Sequence, residues 1–130
     1  MTRLSVVLVG DAECRAAIKG RLRGRRDVLI AGEIGAASAL RLIPLLAPDV
    51  VVLEWAAEDV NALTVLPWLH TLPGAPCIIA LGATCGAAEQ QLVQALGADA
   101  YATLDAPLPL TAALDRTAAL RRPVLQDRAA

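Results

Sequence analysis

Acids that follow apolar runs are the residues of this 130-residue chain best suited to chemistry. Asp11 and Glu13 follow the run VVLVG, and Glu54 closes the run PDVVVLEW, residues 48–55. Brought to one crevice, two such carboxylates can hold a magnesium ion, which takes oxygen ligands in octahedral array and usually one or two protein carboxylates plus waters. Left in separate loops they are solvated end residues, and residue type alone leaves both readings open. In the loop WAAEDVNA, Glu58 and Asp59 either attract a cation weakly or are simply solvated. The single histidine, His70, has no Ser or Cys partner to activate and reads as a surface residue. Cys14, Cys77 and Cys85 are odd in number and lack C-x-x-C spacing, which suits packing residues in a reducing compartment.

The elements that would position these acids follow from periodicity. Residues 4–9 form an unbroken apolar, β-branched run, and 12–23 then carry Ala17, Ile18 and Leu22 at helical spacing. Gly24 and Asp27 interrupt before a second short run, 28–31, and 36–46 return to the helical period with Pro44 inside, which predicts a kinked or shortened helix. A third strand is expected over 50–53 and a third helix over 63–72, with Pro67 inside it. A fourth strand over 77–81 precedes a helix over 87–96 that Gly97 should cap, and a short fifth strand over 100–103 precedes a last helix starting at Leu110. Alternating strands and helices with apolar strands predict a parallel sheet covered on both faces. Right-handed crossovers and small size predict a doubly wound α/β fold with strand order 2-1-3-4-5. Its crevice then opens at the carboxyl ends of strands 1 and 3, where Gly10, Asp11, Glu13 and Glu54 fall.

Composition narrows the class. One domain fits the length, and although 56% of residues are hydrophobic, charges or prolines break every apolar stretch before the ~18 residues of a membrane span. The start, MTRLSVVLVGDAE, runs from apolar residues directly into acids with no small-residue cleavage site, so a cytoplasmic location is expected. Net charge is only −1, but Arg15, Lys19, Arg21, Arg23, Arg25 and Arg26 crowd one stretch, while no Lys or Arg lies between Arg41 and Arg116. Helices 1 and 5 share a face in such a fold, so these residues with Arg116, Arg121 and Arg122 should make one side basic. That polarity suits self-association or an acidic partner as well as it suits a solvated helix. Contact with nucleic acid is poorly supported, since no aromatics interleave with the arginines.

From Leu4 to about Leu120 the chain resembles the receiver domain of bacterial response regulators, most closely those that precede helix-turn-helix DNA-binding domains. The likeness rests on VVLVGDAE, VLIAGEIGAASAL, PDVVVLEW, CIIALGA and QALGADAYATLDAP. It implies a flavodoxin-like receiver of five strands and five helices over residues 1–122, with 123–130 as a tail or the start of a linker. For the site it implies loss. The first of the family's adjacent acids corresponds to Gly10, with Asp11 retained; the phospho-accepting aspartate corresponds to Glu54, the hydroxyl residue after strand 4 to Gly82, and the strand 5 lysine to Leu104. A phosphoaspartate without magnesium, hydroxyl and lysine has nothing to stabilise its formation. The resemblance therefore implies a degenerate, non-enzymatic receiver with no catalytic residues and no cofactor. Magnesium would enter only if Asp11 and Glu54 remained a working pair. Tyr101 matches the family's switch aromatic, and ordinary partial burial with a solvated hydroxyl is its plain alternative.

The expected role is signalling through protein contacts without aspartyl phosphorylation, either toward a protein partner or toward an output domain of its own. A homodimer through helix 4, strand 5 and helix 5 follows from the family, and DNA would be reached only through an output domain absent from this sequence. Two alternatives stay open: a receiver that still accepts a phosphoryl group from a histidine kinase, and a small-ligand sensor using the crevice that Gly10 and Gly82 have emptied.

Overall fold

A computed structural model describes residues 3–55, 60–72, 74–83, 86–103 and 110–119. Apolar, β-branched runs form the strands β1 (Leu4–Val9), β2 (Val28–Ile34), β3 (Val50–Glu54), β4 (Cys77–Gly82) and β5 (Ala100–Thr103). Between them lie α1 (Ala12–Leu22), α2 (Ala39–Leu46), α3 (Val60–Leu69) and α4 (Ala87–Ala95), and a final helix, α5, covers 110–119. All strand pairings are parallel and the order is β2-β1-β3-β4-β5, the doubly wound arrangement expected. Alternation along the strands sends side chains to two cores. Val7, Val9, Val51, Leu53, Ile78 and Ala80 meet Ile43, Leu66, Leu69 and Val93 under α2, α3 and α4. On the other face Val6, Leu8, Val52 and Ile79 meet Ile18, Leu22, Leu110 and Leu114 from α1 and α5.

Several boundaries differ from the periodicity. β2 runs three residues past Ala31, because a bulge at Val6/Val7 shifts the pairing from Ile30 to Gly32 and lets the strand continue to Ile34. Gly32 admits α2 closely, since a Cβ there would stand 2.8 Å from Leu46 Cδ1. The second helix begins as a 3-10 turn, Ala36–Ser38, and the α-helical part is eight residues with Pro44 inside, shortened as its missing N–H requires. α3 starts at Val60 rather than Leu63 and stops at Leu69, where Thr71 and Leu72 donate to Trp68 and Leu69 in tighter three-residue turns. α4 stops as expected at Gly97, whose φ is +117°.

Two acids outside the crevice have structural duties at the amino ends of strands. The Ser5 N–H donates to Asp49 Oδ2 at 2.9 Å and the Ile78 N–H to Asp99 Oδ2 at 2.8 Å, each tying a strand start to its neighbour. The α1–β2 turn is fixed by Arg25, which pairs with Asp27 at 2.7 Å and reaches across to Asp115 of α5 at 2.8 Å. Lys19 pairs with Glu33 at 3.0 Å. Helices α1 and α5 thus share a face and carry Arg15 to Arg26 with Arg116, while Arg121 and Arg122 lie outside the described residues.

Candidate functional site

The crevice is built from the exits of β1, β3 and β4. After Val9 the chain passes through Gly10, whose N–H donates to Ile34 O at 3.0 Å, and turns into α1 at Asp11. Asp11 caps that helix: its Oδ1 accepts the Cys14 N–H at 2.8 Å, satisfying one of the free donors of the first turn. β3 ends beside β4, with Glu54 opposite Leu81 and the Trp55 N–H donating to Leu81 O at 2.8 Å. The Glu54 side chain then folds back over β1, where Oε1 accepts the Asp11 N–H at 3.0 Å. A Cβ on residue 10 would stand 2.8 Å from both Glu54 Cβ and Oε1. Glu54 therefore occupies the space that a side chain at residue 10 would need.

A second close approach of the same kind lies at the end of β4. A Cβ on Gly82 would fall within the Tyr101 phenol, 2.6 Å from Cζ and 2.8 Å from Cε1. The tyrosine of β5 places its hydroxyl against Gly82, in the space that a side chain at 82 would take.

Between these features lies a cleft of about 370 Å³ lined by Asp11, Cys14, Glu54, Trp55, Gly82 and Ala83. Cys14 is a wall of this cleft as well as a core residue. Burial first, then the charges of Glu54 and Asp11 and a hydrogen bond to Glu54, push its thiol up to about 12. A thiol held protonated in this way is inert as a nucleophile. Trp55 is buried at 4% exposure, and its Nε1–H donates to Glu89 Oε2 of α4 at 2.7 Å. His70 sits away from the cleft at the end of α3, where its Cβ would be 3.2 Å from a Cβ on Gly97.

A magnesium ion here would rely on Asp11 and Glu54 together with waters. Each of the two carboxylates already has an oxygen committed to a backbone N–H, and Gly10 leaves no room for a third acid. Among the described residues no group of three or more His, Cys, Asp or Glu side chains stands together as a metal cluster would. Leu104, Asp105, Glu58, Asp59 and Cys85 lie outside the described residues.

The structure thus brings Asp11, Glu54 and Gly82 to one cleft, with Gly10 against Glu54 and Tyr101 against Gly82. Sequence reasoning missed Cys14 and Glu89. Cys14 carries a weak signal, standing three residues after the N-cap on the helix face turned to the strand exits. Glu89 carries none, being 35 residues from its partner's neighbour Glu54.

The order β2-β1-β3-β4-β5, with helices on both faces and acids at the β1 and β3 exits, defines a doubly wound α/β domain. Within that class the chain has the fold of response-regulator receiver domains. It is similar to a LuxR-family two-component response regulator from Aurantimonas sp. SI85-9A1, at 20% identity and TM-score 0.78, covering 99% of this chain and 100% of that one. The signal receiver domain of the response regulator NarL from Mycobacterium tuberculosis matches at 21% identity and TM-score 0.77, over 90% of this chain and 98% of that one. RcsB from Salmonella enterica serovar Typhimurium, bound to promoter rprA, matches at 18% identity and TM-score 0.73, over 89% of this chain and 60% of that one. No family model and no curated protein matches the chain. No described helix is long and apolar enough to cross a membrane.

Proposed function

We propose that this domain is a signalling module of the receiver type that acts through protein contacts, without aspartyl phosphorylation, magnesium or an enzymatic activity of its own. The observation that carries the reading is the placement of two side chains: Glu54 is bound to the Asp11 N–H and stands in the place of a side chain at residue 10, and the Tyr101 phenol stands in the place of one at residue 82. A phosphoryl group entering here would meet a carboxylate already accepting the Asp11 N–H, and no hydroxyl at 82 to receive it. The module works in the cytoplasm, on a protein partner or on an output domain of its own, and pairs with a second copy through α4, β5 and α5. The solved relative bound to promoter DNA, of which this chain spans 60%, supports an output domain as the natural recipient of the signal.

The test is titration of the Trp68→Phe variant with acetyl phosphate, and separately with beryllofluoride, in the presence of magnesium, reading Trp55 fluorescence. Trp55 lines the cleft and reports on any group that enters it. The emission is expected to stay unchanged, with no mass increase of a phosphoryl group. A saturable change with either reagent would show a working phosphoacceptor and overturn the reading.

A further inference from the structure

We infer that Trp55 and Glu89 form a latch that holds the first turn of α4 against the crevice wall, so that the position of α4 is set from inside the crevice. Among the described residues little else holds helix α4: Val93 is its one buried residue, and Leu92 is exposed at 42%. Its carboxyl end is secured by backbone, with the Gly97 N–H donating to Gln94 O at 3.1 Å and the Ala98 N–H to Val93 O at 2.9 Å. Among the described residues its amino end shows no such device. Gly86 occupies the N-cap position and contributes no side-chain cap.

The hydrogen bond from Trp55 Nε1 to Glu89 Oε2, 2.7 Å long, anchors that end. The donor is rigid, because the indole is 4% exposed and lodged in the core that contains Val9, Leu53, Val65 and Ala80. The acceptor is charged and lies in the first helical turn, where a carboxylate also complements the helix dipole. A charge-assisted bond of this kind is roughly twice as strong as a neutral one. Trp55 at the same time lines the cleft beside Gly82 and packs in the core against which Tyr101 of β5 rests. Whatever moves the indole from the cleft side therefore releases the amino end of α4. The latch goes beyond the function proposed above, since it operates whether or not Glu54 accepts a phosphoryl group.

Amide hydrogen exchange of the full chain, followed residue by residue, tests it. Trp55→Phe removes the donor and Glu89→Ala the acceptor, whereas Glu89→Gln keeps an acceptor oxygen. In both disruptive variants the amides of Ala87–Ala95 are expected to exchange about tenfold faster or more, as loss of a hydrogen bond to a charged group implies, while those of β1 and β3 keep their parental rates. The double variant should exchange no faster than the worse single one, and Glu89→Gln should retain most of the protection. Parental exchange across α4 in Trp55→Phe and Glu89→Ala would overturn the latch. So would an equal acceleration of α4 and the central strands, which would mean that the bond supports only global stability.

Discussion

At the scale of single residues, side chains in the crevice stand where a side chain at a neighbouring glycine would have to be. Gly10 and Glu54 are one such pair. A methyl group at residue 10 would meet Glu54 Cβ, an atom fixed by the β3 backbone, so the contact cannot be relieved by rotating the carboxylate away. Gly10→Ala is expected to destabilise the domain by about 1–3 kcal/mol, the usual cost of overpacking, in urea denaturation. In a Glu54→Gly background the same change should cost much less, and equal costs in both backgrounds would refute the pairing. Cys14 lines the same cleft. Its raised pKa means that the thiol stays protonated in the folded state while the unfolded thiol ionises near its ordinary value. The linkage sign follows: stability from this group is fully present below the unfolded pKa and is lost as pH rises from about 9 toward about 12. Iodoacetamide at mildly alkaline pH should leave Cys14 unmodified in the folded domain, as judged by peptide mass mapping. Glu54→Gln, which removes a charge that raises the thiol pKa, should increase its labelling.

The helices and strands show why some of the site could be read in advance and some could not. Strands β1, β3 and β4 are apolar runs bounded by Gly, Pro or acids, so their exits, and with them Gly10, Asp11, Glu54 and Gly82, fall where periodicity and the strand order place them. Asp11 is legible even locally, as an acid one residue before a helical period. Asp11→Ala should cost about 1 kcal/mol, the usual loss for an N-cap, and Asp11→Asn much less. Thermal or urea unfolding would measure both, and an Asp11→Ala variant as stable as the parent would remove the cap from the account. What resisted reading is what depends on neighbours distant in sequence. β2 outruns its apolar stretch because a bulge on its edge pairing absorbs Ala31, which no local pattern announces. The directions of the Glu54, Tyr101 and Trp55 side chains depend on the volume left at residues 10 and 82 and on Glu89 across the fold. The types of the residues at the strand exits could be read in the sequence; the directions their side chains take could not.

At the scale of the whole molecule, charge separates two ways in which copies could meet. The basic side carried by α1 is weaker than a count of its residues suggests, because Lys19 is paired with Glu33, and Arg25 with Asp27 and Asp115. Arg21, Arg23 and Arg26 remain exposed there, joined by Arg3 at the start of β1 and by Arg116 on α5. The outer face of α4 is different in kind. Ala88, Gln91, Leu92 and Ala95 are exposed and uncharged, and Glu89, the one acid of the helix, turns inward to Trp55. Pairing through α4, β5 and α5 would therefore gain little from Coulomb attraction, whereas pairing of arginines with acids of a second copy would be weakened as the screening length shortens from about 10 Å at 0.1 M salt to about 3 Å at 1 M. Sedimentation of the purified domain at those two ionic strengths distinguishes the two. A dimer of unchanged stability at both, indifferent to beryllofluoride with magnesium, is the outcome expected of an uncharged α4 face held in one position by its latch. Dissociation at high salt would transfer the contact to the arginines. A monomer that pairs only with beryllofluoride would show that the crevice still takes a phosphoryl analogue, and that Glu54 and Tyr101 yield their places when it arrives.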